Sequence, residues 1–362
     1  MSKTVKTQIQ APLLGADQIA LLERLSNAVA VSGDEGEVRA MVAKEVKPFA
    51  DDIQVDALGN LLVTRKAKTP NPMRIMVDAH MDEIGFMILE DQEGGLYEFA
   101  AVGGIDERIL PGKVLLVGKD HLPGVIGACP IHLTGRDEMA RPISIKSLKI
   151  DIGIEGAGKV KVGERATFAT RFRQDGSNLW GKALDDRLGV ATLIELVKNP
   201  PENVELLAAF TVQEEVGLRG ARVAAYAFNP DAAFVIDSTP AVDMPMWDET
   251  ENTQYNCKLD AGPAIYMVDS GTLSDPRLIR HLVETAEANH IPYQFRQPGG
   301  GGTDGGTIHR VRAGVPTVSI SVPGRYAHMP IMLARLEDWQ HTYSLIYCAL
   351  AALTPSVLDQ ER

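Results

Sequence analysis

The sequence predicts an α/β protein in which a doubly wound domain carries a small inserted β domain. Helical patterns and short apolar runs alternate in the first and last parts of the chain, as in doubly wound domains. From about residue 85 to residue 172, short β-type runs alternate with Gly, Pro and Asp turns, without a long helical pattern. The 362 residues also exceed the roughly 100–200 expected of one domain. We therefore expect residues 1–86 and 177–362 to form one domain and residues 87–176 to form the insertion.

The N-terminal part of the chain begins with two predicted helices. Apolar residues recur at helical spacing over residues 16–30 and again over residues 38–49. The triplet Ser32-Gly33-Asp34 is typical of a helix start and is assigned to the second helix. A predicted hairpin over residues 53–65 then leads to an apolar strand that ends at His80.

The C-terminal part carries four more helical patterns separated by apolar strands. Ser274-Asp275 followed by Pro276 is typical of a helix N-terminus. The glycine run 299–306 looks like a phosphate loop but lacks the Lys and Ser/Thr of that motif. We expect this run to let the backbone approach a site closely, before a short helix over residues 305–311. The four longer helices are predicted at Asp186–Lys198, Arg219–Ala227, Pro276–Asn289 and Leu336–Leu353.

Composition and charge exclude several classes of partner. Hydrophobic residues make up 45% and charged residues 23% of the chain, as in ordinary folded proteins. The formal net charge is −12 and Lys and Arg are not clustered, so nucleic-acid binding is not expected. The sequence MSKTVKTQIQAPLLG lacks the apolar core of a signal peptide, and the apolar runs are too short to span a membrane. We expect a cytoplasmic protein without membrane contact, whose three cysteines stay reduced.

Metal-type ligands follow the predicted strands where the strands end. His80, Glu214-Glu215, Asp237 and His328 come at or just after the ends of apolar runs, and Asp185-Asp186 stands where a helix begins. In an open α/β sheet, ligands bind beyond the carboxyl ends of the strands, so side chains distant in sequence converge there. Two histidines and three carboxylates suit divalent zinc, cobalt or manganese. The sequence therefore predicts a metal-dependent hydrolase.

Two pairs of these residues, His80 with Asp82 and Glu214 with Glu215, can each be explained with or without a metal ion. Asp82 shares one side of an extended segment with His80, so it can orient a metal-bound imidazole or simply pair with a histidine at the surface. Glu214 and Glu215 point apart if the chain is extended. One can then bind metal while the other acts as general base, or both can be solvated acids.

The Asp185-Asp186 pair is equally open. Acids in the first turn of a helix complement the helix dipole, which explains one aspartate without any metal. Two consecutive acids after an apolar pair favour a further role, such as bridging two metal ions. Asp186 can instead pair with Arg187 or with a backbone N–H. Only the joint pattern of all these residues favours a metal site.

Six motifs together are similar to those of the TET family of dinuclear metalloaminopeptidases, which includes glutamyl aminopeptidases and relatives described as endoglucanases. The resemblance extends over nearly the whole chain, and the joint occurrence of the motifs in this order is specific. The motifs are VDAHMDEIGFMI, GKALDDRLGVA, VQEEVGLRGA, VIDSTPA, GGTDGGTI and GRYAHMP.

The resemblance implies a role for each candidate residue. Glu214 would be the general base, and Asp82 would be the partner that orients His80. The peptide between Asp185 and Asp186 would be cis, and Asp185 would bridge two metals. The implied metal ligands are His80, Asp185, Glu215, Asp237 and His328.

The resemblance also implies a fold and an assembly. The α/β domain would be phosphorylase/hydrolase-like with a mixed sheet, and the inserted domain would be barrel-like and used for dimerisation. Many family members assemble from dimers into tetrahedral dodecamers, so a homododecamer is expected.

The sequence-based hypothesis is thus a dinuclear metal-dependent aminopeptidase acting on peptides with a free N-terminus. Its first rival is a related dinuclear amidohydrolase or deacylase, which would prefer a blocked N-terminus. An endoglucanase needs two free carboxyls flanking one bond, whereas the best acids here are assigned to metal. A non-catalytic assembly protein on the same scaffold is disfavoured by the intact Glu214-Glu215 pair.

Overall fold

In the computed structural model, which describes residues 9–141, 143–248, 250, 252–253 and 256–362, a large sheet with helices adjoins a β-barrel. The strands are β1 (Asp52–Val55), β2 (Leu61–Arg65), β3 (Met73–His80), β4 (Gly85–Asp91), β5 (Leu96–Val102), β6 (Val114–Val117), β7 (Leu122–Gly127), β8 (Lys149–Asp151), β9 (Arg165–Phe168), β10 (Arg173–Asp175), β11 (Asn178–Gly181), β12 (Val204–Thr211), β13 (Ala232–Pro240), β14 (Ala264–Tyr266), β15 (Gln294–Arg296), β16 (Thr317–Arg325) and β17 (Met332–Arg335). The helices are α1 (Ala16–Asn27), α2 (Gly36–Val46), α3 (Arg136–Met139), α4 (Leu184–Lys198), α5 (Arg219–Phe228), α6 (Pro276–Asn289), α7 (Gly305–Ile308) and α8 (Leu336–Ala352).

The large sheet has a parallel centre and antiparallel flanks. Its strand order is β1-β2-β12-β3-β13-β16-β17-β11-β10, and β14 and β15 attach beside β16. Strands β12, β3, β13 and β16 run parallel to one another, whereas β2 and β17 pair antiparallel with this group. The mixed sheet expected from the sequence is confirmed.

Helices cover both faces of this sheet because its central strands are apolar on both sides. Ile75 and Val77 of β3 pack into the larger core, together with residues of α1, α2, α4, α6 and α8. Met76, which lies between them, packs into a second core with α5 and α7. Successive side chains of a strand point to opposite faces, so each face needs its own layer of helices. The fold is doubly wound, as predicted.

The barrel closes in the strand order β4-β5-β8-β7-β6-β9. It has a core of its own, in which the ring of Phe86 packs edge-on against Phe99 and Phe168, with centroid distances of 5.3 and 5.4 Å. Such edge-to-face pairs add to the stability that apolar burial provides. The predicted barrel-like β module is therefore present as a closed barrel.

A buried ionic cluster joins the barrel to the sheet. The carboxylate of Glu83, just before β4, lies 2.9 Å from Nζ of Lys182 and 3.3 Å from Nη2 of Arg187. It also accepts hydrogen bonds from Oγ1 of Thr167 in the barrel and from the backbone N–H of Ala30. A buried carboxylate is stable only with such partners, so this cluster fixes the junction.

The sequence placed the start of the second helix wrongly. Helix α2 begins at Gly36 after Glu35, not at the triplet Ser32-Gly33-Asp34. The hydroxyl of Ser32 instead donates a 2.6 Å hydrogen bond to the buried carboxylate of Asp82. A charge-assisted hydrogen bond to a buried acid is stronger than a hydrogen bond to an exposed backbone N–H.

Other local predictions hold, with small shifts at element ends. Helix α6 covers the predicted residues, and Asp275 accepts from the backbone N–H of Arg277 at its start. Helix α1 is shorter than the predicted 16–30, and α7 ends at Ile308 rather than at residue 311. In the described part of the chain, no helix has both the length and the apolar character needed to cross a membrane. The three cysteines are free.

Candidate metal centre

The parallel strands bring the predicted ligands to one end of the sheet. His80 is the last residue of β3, and its register partner is Thr211, the last residue of β12. Asp237 lies near the end of β13, and His328 follows the end of β16. Since these strands are parallel, their carboxyl ends share one edge, where ligand-type side chains meet.

The first half of the site lies around His80. Its Nε2 atom is 3.3 Å from Oδ1 of Asp185 and 3.7 Å from Oδ1 of Asp237. All three side chains are largely withdrawn from solvent. One imidazole nitrogen therefore has two carboxylate oxygens within 3.7 Å.

The second half lies around His328. Its Nε2 atom is 3.6 Å from Oδ2 of Asp185 and 3.5 Å from Oε2 of Glu215. The carboxylate of Asp185 thus presents one oxygen to each histidine. His328 is the most accessible of these side chains, with 44% of its surface exposed, so this half faces the solvent.

The sequence left open whether Asp186 lies at the metal site or caps a helix, and in the structure it does both. Ligand atoms of His80, Asp186 and Asp237 lie within 4.8 Å of one another, as do those of Asp185, Glu215 and His328. Oδ1 of Asp186, however, accepts the backbone N–H of Gly189 at 2.9 Å and so caps the first turn of α4. The Asp185–Asp186 peptide is cis, as the resemblance implied.

Asp82 connects the His80 half to the loop after β12. Its carboxylate accepts the backbone N–H groups of Glu214 and Glu215 at 3.0 and 3.2 Å. Nδ1 of His80 lies 3.5 Å from the same carboxylate and 3.2 Å from the carbonyl oxygen of Asp82. The extended geometry expected for Glu214-Glu215 was wrong, because the two residues lie in a turn that Asp82 holds.

Burial and mutual repulsion give the acids of the site unequal pKa values. Burial raises the pKa of Glu215 to about 8 and that of Asp237 to about 6. Burial also acts on Asp185, but the hydrogen bond with His80 and the charge of His328 outweigh it and lower its pKa to about 2. Carboxylates in this arrangement need cations, which bound protons or a metal ion can supply.

Arg296 is a residue of the site that the sequence analysis missed. A cavity of about 100 Å³ extends from His80 and Asp237 to Tyr266 and Arg296. The guanidinium lies 4.7 Å from the centre of the Tyr266 ring and donates to the carbonyl of Gly300 at 2.6 Å. Its Nη1 atom is buried and has no hydrogen-bond partner among the described residues. The only sequence signal was an arginine shortly before the glycine run.

Comparisons with known proteins show which family the chain belongs to. Residues 59–345 match the family described as M42 glutamyl aminopeptidase. The chain belongs to the M42 family. Its relatives include the glutamyl aminopeptidase of Lactococcus lactis, which is 30% identical over 351 residues that cover 92% of this chain and 95% of the relative. M42 membership confirms the resemblance read from the motifs.

Solved structures of similar proteins show the same fold. The aminopeptidase APDkam598 from the archaeon Desulfurococcus kamchatkensis is 33% identical, with a TM-score of 0.88 over 94% of this chain and 96% of that protein. The Pyrococcus horikoshii TET1 peptidase is 35% identical, with a TM-score of 0.81 over 93% of this chain and 100% of that protein. It is described as assembling into a tetrahedron or a large octahedral shell.

The chain is therefore a metal-dependent peptide hydrolase of the aminopeptidase type. M42 aminopeptidases need metal, and the donors found here fit that requirement. Imidazole nitrogens and carboxylate oxygens converge in two adjacent groups, and one aspartate divides its oxygens between two histidines. This donor set suits borderline divalent ions.

Proposed function

We propose that this protein removes N-terminal residues, acidic ones above all, from peptides by means of two divalent metal ions. The position of Asp185 between His80 and His328 carries the two-ion part of the proposal. The buried Arg296 in the adjoining cavity carries the substrate preference.

The proposed ligands divide into two sets. His80 and Asp237 would hold one ion, Glu215 and His328 would hold the other, and Asp185 would bind both. Zinc or cobalt is the expected metal, with manganese as a further candidate. When bound, such ions polarise a carbonyl group and acidify water. Asp186 is assigned to helix capping because Gly189 already occupies one of its oxygens.

Glu214 is proposed as the general base. Burial raises its pKa well above the ordinary range, and its side chain lines the cavity beside His80 and Asp185. A carboxylate whose pKa lies nearer to neutrality is a suitable proton acceptor. Glu214 takes a proton from the attacking water and returns it to the leaving amine nitrogen. Asp82 is proposed to position both His80 and the turn that carries Glu214.

Arg296 is proposed to bind the side chain of the N-terminal residue. Arg296 lines the cavity that adjoins the proposed metal ligands, and its buried Nη1 has no hydrogen-bond partner among the described residues. A buried N–H donor without a partner is costly, and a substrate carboxylate would satisfy it with a charge-assisted hydrogen bond. Glutamate and aspartate are the residues that offer this group, in agreement with the description of the family.

We further propose that the protein self-associates through the inserted domain at residues 87–176. Exposed side chains form a row across neighbouring strands of the barrel. Asp151 lies between Leu96 and Val125, and Val114 is the next residue in the row after Val125. Val114 is 58% exposed. Apolar side chains grouped in this way are typical of interfaces. Dimers formed there, assembled into a dodecamer, would agree with the shells described for the Pyrococcus horikoshii TET1 peptidase.

The free cysteines favour a cytoplasmic location.

Hydrolysis of a panel of aminoacyl anilides would test the proposed activity. Chelator-stripped protein should be inactive, and added zinc, cobalt or manganese should restore cleavage of free-amine substrates, with glutamyl and aspartyl anilides cleaved fastest. Matched N-acetylated anilides serve as the control and should not be cleaved. Cleavage of the acetylated set would favour the deacylase instead, and equal rates for glutamyl, leucyl and lysyl substrates would contradict the role of Arg296.

A further inference from the structure

A turn of the barrel lies against the His328 half of the metal centre. Gly103 and Gly104 directly follow strand β5, which ends at Val102. The carbonyl oxygen of Gly104 accepts a hydrogen bond from Nδ1 of His328 at 2.9 Å. Because a carbonyl can only accept, the proton of the neutral ring must be on Nδ1. The lone pair of Nε2 is then directed at Asp185 and Glu215.

A side chain at Gly104 would press on a proposed ligand, and one at Gly103 would clash with Ile84 and touch Glu215. A β-carbon on Gly104 would lie 3.2 Å from Nδ1 of His328. A β-carbon on Gly103 would lie 3.4 Å from Cβ of Glu215 and 2.8 Å from Cγ2 of Ile84. Gly103 also has a φ of +85°, which favours glycine. The barrel backbone can therefore approach this half of the site only because the turn has no side chains.

The two halves of the centre differ in what orients their histidines. Nδ1 of His80 faces Asp82, two residues further along the same chain segment. Nδ1 of His328 faces the barrel, which lies more than two hundred residues earlier in the sequence. His328 follows strand β16 in a loop and has a φ of +57°, so the sheet alone does not determine the direction of its ring.

We propose that Gly104 is a positioning residue for the metal centre, through which the barrel orients His328 and controls one of the two metal-binding positions. The barrel then has a part in the active site in addition to its proposed part in assembly. The proposal rests on the proposed function, because it takes His328 as a ligand. Partners that orient a metal-bound histidine typically change metal affinity about 10- to 100-fold when they are altered.

The test is a metal titration of the full-length protein carrying Gly104→Ala. Gly104 is exposed and has no positive φ, so alanine should disturb His328 without preventing folding. Chelator-stripped protein is titrated with cobalt or zinc against a competing chelator, and the affinity of each equivalent is measured. One equivalent should bind about 10- to 100-fold more weakly, while the other stays within about twofold of wild type.

Two further variants make the outcome specific. Gly127→Ala is the matched barrel control, since its β-carbon would meet only the carbonyl of Lys149 at 3.9 Å, and it should titrate as wild type. His328→Ala should weaken the same equivalent as Gly104→Ala, and the double variant should be no weaker than His328→Ala alone. Additive losses in the double variant would overturn the positioning role.

The remaining outcomes separate this inference from the function on which it rests. If His328→Ala removes one equivalent but Gly104→Ala binds both as wild type does, the barrel turn has no positioning role and the ligand assignment stands. If His328→Ala leaves both equivalents unchanged, the proposed ligand set is wrong and the inference falls with it. Equal weakening of both equivalents by Gly104→Ala would contradict control of a single position.

Discussion

Oδ1 of Asp82 accepts a hydrogen bond from the backbone N–H of Glu214 at 3.0 Å. The second oxygen of the same carboxylate accepts from Glu215 and from the hydroxyl of Ser32. His80 lies on the other side of Asp82, with its Nδ1 3.5 Å from the carboxylate. One fully buried side chain therefore connects the end of β3 to the turn that follows β12.

Asp82→Asn should lower kcat while the protein stays folded. An amide NH₂ would have to face a backbone N–H or an imidazole, so either the turn of Glu214 or the ring of His80 must shift. We expect a loss of about 10- to 100-fold, measured with a glutamyl anilide at saturating metal. Ser32→Ala removes one partner but leaves the carboxylate, so it should have a smaller effect. An Asp82→Asn variant with wild-type kcat would contradict the positioning role.

Glu214→Gln and Glu215→Gln should separate the two adjacent acids. The first should keep its metal and lose about 10²- to 10⁴-fold in kcat, because an amide cannot accept the proton. The second should lose metal, because an amide is a weaker ligand than a carboxylate. Metal analysis of the purified variants beside their kcat values distinguishes the roles. The same metal loss in both variants would contradict the assignment of Glu214 as base.

Arg296→Met should change the substrate preference rather than the chemistry. Loss of a hydrogen bond to a charged group corresponds to roughly 10- to 100-fold in kcat/KM for glutamyl substrates, while leucyl substrates should change little. Arg312→Met is a matched control, since Arg312 also stacks on a tyrosine, Tyr226, but is exposed and lies outside the residues that line the catalytic cavity. Equal losses on both substrates would show that Arg296 does not select acidic residues.

Glu83→Gln should destabilise the protein strongly, because the buried Lys182 and Arg187 would both lose the carboxylate that pairs with them. Breaking a buried pair in this way costs about 3–5 kcal/mol. The control is Glu202→Gln, which breaks an exposed pair with Lys68 and should cost less than about 1 kcal/mol. Urea unfolding at one fixed protein concentration gives both values. Equal, small changes would mean that the junction does not depend on this cluster.

The lowered pKa of Glu83 leads us to expect that the stability of the protein depends on pH. Burial raises the pKa of Glu83, but the charges of Lys182 and Arg187 outweigh it and hold the pKa below its ordinary value of 4.5. The folded state therefore binds this proton less readily than the unfolded state. The contribution is complete above about pH 4.5 and is lost as the pH falls through the lowered pKa. Acid unfolding of Glu83→Gln should have a shallower pH dependence in this range than that of wild type.

Removal of metal should lower the melting temperature. Ions that bind only the folded state stabilise it by mass action, and their loss returns the carboxylates of the site to mutual repulsion. A chelator should lower Tm, and added zinc or cobalt should restore it. In Asp185→Asn, the proposed shared ligand is impaired, so the chelator should shift Tm much less. A full chelator effect in this variant would contradict a bridging role for Asp185.

Local patterns in the sequence were sufficient to predict the helices and strands and the types of residue at the candidate metal site. The apolar runs of β3, β12, β13 and β16, each ending at or near a histidine or an acid, predicted both the doubly wound α/β sheet and the edge where the candidate site lies. Strand burial and helix periodicity depend on residues close in sequence, so these predictions need no tertiary information. The family could also be recognised from the sequence, because each motif is a short run of neighbouring residues.

Only the tertiary structure decided which hydrogen-bond partners the side chains of the site have. The sequence assigned Ser32 to a helix start and Glu214 to an extended segment, whereas the buried carboxylate of Asp82 binds both. The contacts of Arg296 and of the Gly104 turn could not be predicted locally, because their partners, Tyr266 and His328, are distant in sequence. Hydrogen bonds to buried groups are set by which surfaces the folded chain brings into contact. The sequence by itself therefore determined the sheet, the inserted β module and the types of candidate donor, whereas the folded chain decided which partner each donor contacts, Asp82 for His80 and the barrel turn for His328.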